Sequence, residues 1–116
     1  MAAGADRRVG YILAGASRRN AGVVVSAVTL TEVLRGNRRD TSVHRVLARV
    51  QVESVTPEIG RLAGELLGSL GMNNTVDSLV ALTALRAQPP VLVLTSDPDD
   101  LGGLLGERPD IRVVRV

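Results

Sequence analysis

Two short aliphatic runs, Val23-Val24-Val25-Ser26-Ala27 and Val91-Leu92-Val93-Leu94-Thr95, each give way at once to a helix-like segment. This alternation restricts the fold more than any other feature of the chain. Residues 5–20 read as a helix with Val9, Ile12, Leu13 and Ala16 on one face. After the first strand comes a short helix from about Thr29 to Leu34, stopped at Gly36-Asn37. A further helix spans about Asp40 to Val50, with Val43, Val46, Leu47 and Val50 inward, and a short strand is possible around Val50–Glu53. Thr56-Pro57-Glu58 starts a helix with proline at its first position, running to Gly71. The nearly all-apolar helix 75–87 requires burial against two layers. Strand 91–95, helix 98–105 and strand 111–116 complete the chain. The order α-β-α-α-β-α-α-β-α-β argues for an α/β fold, a parallel sheet covered by helices. On the helix that begins at Pro57, Gly60, Gly64 and Gly68 recur every four residues, which predicts close packing against a neighbour.

With 116 residues and 45% hydrophobic content, the chain is expected to form one domain, residues 1–116, with a packed core. It has no cysteine, which excludes disulfides and thiolate metal sites and fits a reducing cytoplasm. No apolar run reaches a membrane-spanning length. Every basic residue is arginine, and the pairs Arg7-Arg8, Arg18-Arg19 and Arg38-Arg39 fit either phosphate contact or a solvated face. Tyr11 is the only aromatic residue. A base-stacking platform for single-stranded RNA therefore cannot be built, and any contact with nucleic acid must work through phosphates and metal.

Three acids stand where strand-like runs meet helix starts: Glu32, Asp77 and Asp97. In a parallel α/β sheet these positions share one edge, the edge where open sheets bind ligands. Each acid also has a structural explanation. Thr29-x-x-Glu32 is a capping box, Asn74-x-x-Asp77 has the same spacing, and Asp97-Pro98 reads as an N-cap followed by proline. Asp97, Asp99 and Asp100 place three carboxylates within four residues, more than one cap requires. Ligands of oxygen alone point to Mg²⁺ or Mn²⁺ rather than zinc. The single histidine, His44, reads as a surface residue, and no nucleophile elbow or phosphate loop is present.

The segments Val24 to Gly36, Thr75 to Leu82 and Val93 to Leu101 resemble the second, third and fourth acidic motifs of PIN domains, most nearly those of the toxin ribonucleases of VapBC-type toxin–antitoxin pairs. The resemblance implies a three-layer α/β/α fold and an Mg²⁺- or Mn²⁺-dependent ribonuclease. It also implies an RNA substrate, a homodimer and a cognate antitoxin. Carried over by position, Glu32, Asp77 and Asp97 become the catalytic metal-site acids. Asp100 becomes a further metal or supporting carboxylate, and Thr95 or Ser96 a hydrogen-bonding partner of the acids or the attacking water. One departure from the pattern is the opening central strand and its aspartate, which are absent; Asp6 follows no apolar run and does not replace it. A truncated chain or a start codon further upstream is the expectation. Removing a central strand would leave backbone groups unpaired in the middle of the sheet, and the fold could close the gap, pair with another chain or pack poorly. A second copy covering exposed edges, and reduced activity or a non-catalytic protein-binding role, are further expectations.

Overall fold

A computed structural model describes residues 3–116, with side chains from residue 7 onward; Asp6 lies outside the described side chains. The elements follow the sequence order closely. They are α1 (Ala3–Arg18), β1 (Gly22–Ser26), α2 (Leu30–Val33), α3 (Thr41–Leu47), β2 (Gln51–Glu53), α4 (Pro57–Leu70), α5 (Thr75–Arg86), β3 (Val91–Thr95), α6 (Pro98–Leu105) and β4 (Ile111–Arg115). The four strands form one parallel sheet in the order β2-β1-β3-β4.

Strand side chains alternate between faces, so each face builds its own core. Val24, Val91 and Val93 pack with Val80, Ala81 and Ala84 of α5 and Leu101, Leu104 and Leu105 of α6. Val25, Leu92, Leu94 and Val114 pack on the opposite side with Val9 and Leu13 of α1 and Val46 of α3. This is the three-layer α/β/α arrangement. Helix α5 is buried on two sides, as its composition requires. Its sheet-facing residues join the first core, while Leu82 packs against Ile59 and Ala63 of α4. Its hydroxyls are satisfied locally: Thr83 donates to the carbonyl of Leu79 (2.9 Å) and Ser78 to that of Thr75 (2.6 Å).

The sheet has no gap at its centre. β1 and β3 pair directly, with Val24 opposite Val93 and Val25 opposite Leu94. Of the outcomes open to a sheet without that strand, the fold closes the gap, and among the described residues only β2 and β4 present edges.

Two local expectations are corrected. Gly60, Gly64 and Gly68 are exposed, and a Cβ on any of them would meet nothing within 4 Å. Helix α4 packs through Ile59 and Ala63, and a stripe displaced by one residue from that face turns about 100° away from it. The Thr29–Glu32 capping box also does not form. Ser26 accepts the N–H of Val28 (3.2 Å) and starts a 3₁₀ turn over Ala27–Thr29, so helical backbone begins before Thr29. Thr29 lies at φ −63°, ψ −26° with no capping bond, and its hydroxyl is buried without a partner. By contrast, Thr56 does cap α4, accepting the N–H of Ile59 (3.2 Å), and Gly71 ends that helix at φ 64°, where glycine carries no Cβ penalty. Among the described residues no helix is long and apolar enough to cross a membrane.

Candidate functional site

Because all four strands are parallel, the ends of β1 and β3 and the starts of the helices that follow lie at one edge of the sheet. Glu32 sits in α2, just beyond β1; Asp97 follows β3; Asp77 lies in the first turn of α5. The nearness of the last two carboxylates is a consequence of strand direction.

Asp77, Asp97 and Asp100 each bring a carboxylate oxygen within 4.8 Å of the others. Glu32 is not part of this tight group, but its charge reaches Asp77 and helps to raise that residue's pKa. The three oxygens thus come from the start of α5, the turn after β3 and the first turn of α6. Neither Asn74 nor Asp97, at the N-cap positions of α5 and α6, makes a side-chain capping bond. The capping explanation therefore fails for Asp97, as it does at Thr29 and Asn74, and does not account for the acids.

The electrostatics reflect crowding. The pKa of Asp77 is raised above the ordinary carboxylate value, first by burial and then by the charges of Asp97 and Glu32, against an opposing hydrogen bond from the Asn74 side chain. That of Asp100 is raised first by a hydrogen bond shared with Asp97, then by the charge of Asp97, with burial, Asp77 and Asp99 adding to the same direction. Both shifts mean that these acids take up a proton more readily than an ordinary carboxylate when nothing positive is present. A cation placed among them reverses that balance.

The donor set fits a hard divalent cation. Three oxygens no more than 4.8 Å apart leave a point within about 2.8 Å of all three, so side-chain shifts of under an ångström bring them to the 2.0–2.1 Å of Mg²⁺ ligation, with water completing the shell. Among the described residues no cysteine or histidine joins the group, since the chain has no cysteine and His44 lies on α3.

Thr95 and Ser96 meet the acid edge through backbone groups. The Thr95 hydroxyl accepts the backbone N–H of Asp97 (3.2 Å), so it fixes the turn that carries this acid without touching the carboxylate. Ser96 contributes its carbonyl, which accepts from Nη1 of Arg115 (3.2 Å). Asn74 was missed as part of the site; its spacing to Asp77 suggested only a cap, and the same spacing lets its side chain reach the carboxyl. A second carboxylate, Asp40, lies apart and is wholly structural. It accepts the N–H of Arg35 (3.1 and 3.0 Å) and of Gly36 (2.7 Å), and these bonds hold its pKa below the ordinary value.

The model of one family, described as PIN domain, matches residues 5–101, a span that includes Glu32, Asp77, Asp97 and Asp100. Comparison with curated proteins gives no match, and comparison with solved structures gives none.

Proposed function

The chain belongs to the PIN-domain family, and from that membership and its nuclease-type fold we propose that it is a divalent-metal-dependent endoribonuclease, the toxin of a VapBC-type toxin–antitoxin pair. The observation that carries the reading is the convergence of Asp77, Asp97 and Asp100 within 4.8 Å, with the N-cap positions Asn74 and Asp97 making no capping bond.

In this reading Asp77, Asp97 and Asp100 hold Mg²⁺ or Mn²⁺. Glu32, standing off the tight group, accepts a proton from the attacking water or ligates through water. The bound cation supplies charge to the scissile phosphate and lowers the pKa of water. Thr95 holds the Asp97 backbone in place, and Asn74 keeps the Asp77 carboxyl oriented and its negative form favoured. Rigid placement matters because an error of about 1 Å in such a site costs on the order of 10²-fold in rate. A cognate antitoxin and a homodimer belong to the same proposal.

The test is cleavage of end-labelled RNA in Mn²⁺ or Mg²⁺ by the wild type, Asp77→Asn and Asp97→Asn. Cleavage by the wild type and loss in both variants is the expected result. Cleavage that survives both substitutions removes these acids from the chemistry. A second reading, a non-catalytic PIN module that binds protein, is favoured by one observation. β1 and β3 pair directly, and among the described residues no strand between them carries a further aspartate. Inertness toward several structured and unstructured RNAs in Mn²⁺ would make that the better reading.

A further inference from the structure

Buried hydroxyls stand behind the acid edge. β1 and β3 pair with Val24 opposite Val93 and Val25 opposite Leu94, so Ser26 and Thr95, one step further along, lie side by side. Both are buried, and strand alternation puts them on the face covered by α5, where Val24 and Val93 pack. Ser78 adds a buried hydroxyl from the start of α5. Thr29 adds another, from the 3₁₀ turn that leaves β1 and lies against α5. Because β1 runs toward this edge and α5 starts from it, the turn meets the end of α5 that carries Asp77 and Ser78.

Three of these hydroxyls have partners. Ser26 accepts the N–H of Val28, Thr95 accepts that of Asp97, and Ser78 donates to the carbonyl of Thr75. Thr29 has none. It is 0% exposed, and its Oγ1 is the one buried side-chain polar atom without a hydrogen bond among the described residues. The common outlet for a threonine in helical backbone is a carbonyl three or four residues earlier. Thr31 uses it, donating to Val28 (2.7 Å), and so does Thr83, donating to Leu79. An unpartnered interior hydroxyl lowers stability, and valine has the same shape, so packing alone does not explain a threonine at position 29.

Glu32 can supply the missing partner. It follows Thr29 by three residues, one helical turn on and beside it on the helix surface. Its carboxylate stands outside the tight group of Asp77, Asp97 and Asp100, yet its charge reaches Asp77. Like charge holds it off in the free protein. With a divalent cation among the three aspartates that repulsion is gone, and a fourth carboxylate is attracted instead. The helix carrying Glu32 is only four residues long and stands on a 3₁₀ turn, so a shift there disturbs few hydrogen bonds.

We propose that Thr29 is a positioning residue of the acid site: its hydroxyl, unpartnered in the free protein, donates to the Glu32 carboxylate when that carboxylate turns inward toward a bound divalent cation. The proposal rests on the divalent-metal reading of the site and deepens it. The Thr29-x-x-Glu32 spacing, which makes no capping box here, serves this pair instead. The free protein carries the loss from the lone hydroxyl, and the loaded protein recovers it as a hydrogen bond to a charged group.

The test is a double-mutant cycle on Mn²⁺ binding, read by calorimetric titration, with thermal melts of each protein in EDTA. It compares the wild type, Thr29→Val, Glu32→Ala and the double variant. Thr29→Ser keeps the hydroxyl, and Thr83→Val is the control, a buried threonine whose hydroxyl already has a partner. Thr29→Val should melt above the wild type in EDTA yet bind Mn²⁺ about tenfold more weakly, the value of one hydrogen bond to a charged group. Thr29→Ser and Thr83→Val should bind Mn²⁺ as the wild type does. With Glu32→Ala already present, Thr29→Val should cause no further loss of affinity, because the two side chains act as a pair. Wild-type affinity in Thr29→Val, full additivity in the cycle, or equal weakness of Thr29→Ser and Thr29→Val would overturn the role of the hydroxyl while leaving the metal site intact. A lower melt of Thr29→Val in EDTA would also overturn it, by showing that the hydroxyl is paired without metal. If the wild type takes up no Mn²⁺, the metal reading itself fails, and the pair with it.

Discussion

Removing charge from the acid cluster should have opposite effects on stability with and without metal. The raised pKa values of Asp77 and Asp100 mean that the folded state holds these protons more tightly than the unfolded chain does. Their favourable contribution is complete below the unfolded carboxylate pKa and is lost as pH rises through the raised folded values. At pH 7 the ionised acids therefore work against the fold, and Asp77→Asn should melt at or above the wild type in EDTA. Mn²⁺ inverts the order. A ligand that binds only the folded state at 100 times its Kd adds about 2.7 kcal/mol. With about 2.1 cal/mol/K of unfolding entropy per residue, a chain of 116 residues has roughly 0.24 kcal/mol/K, so the gain is about 11 °C. The wild type should show that rise by calorimetry or thermal-shift fluorescence. Asp77→Asn and Asp97→Asn should show only a few degrees at the same Mn²⁺ concentration. Equal rises in all three proteins would place the metal elsewhere. A large loss of Tm for Asp77→Asn in EDTA would make Asp77 a structural residue and break the reasoning at its first step.

Thr29→Val should stabilise the protein by about 1–3 kcal/mol, because it replaces a buried hydroxyl that has no partner with a methyl group of the same shape; a lower midpoint in urea would mean that the hydroxyl is satisfied in solution. Asp40→Asn should destabilise at pH 7, and the difference from wild type should shrink as pH falls through the depressed pKa of Asp40, since a lowered carboxylate contributes stability only above its unfolded value. A difference independent of pH, read from parallel melts, would assign the effect to shape rather than charge. Sedimentation across the micromolar range should reveal a concentration-dependent dimer, formed at the β2 or β4 edges or over helical surface, because the centre of the sheet is already paired. A constant monomer mass would reject it.

The helices and strands were legible in the sequence because the signals that define them are local. The run 91–95, the Pro57 start and Gly71 stop of α4, and the all-round apolarity of α5 each concern residues a few positions apart. The position of the acid edge was legible for a related reason. In a parallel sheet, strand ends and helix starts share one side, so positions along the chain already place Asp77 and Asp97 together. Tertiary structure decided what depends on distant partners. It closed β1 directly onto β3, gave the third place in the tight group to Asp100 and left Glu32 outside it. It turned the Gly60-Gly64-Gly68 stripe to solvent, and replaced the Thr29 cap with one from Ser26. It also gathered eight of the fourteen arginines onto one layer, because α1 and α3 cover the same face of the sheet although more than twenty residues separate them. A local pattern fixes what each segment can become. Which side chains meet depends on strand order and on which face each helix covers, and those follow from packing the whole chain at once.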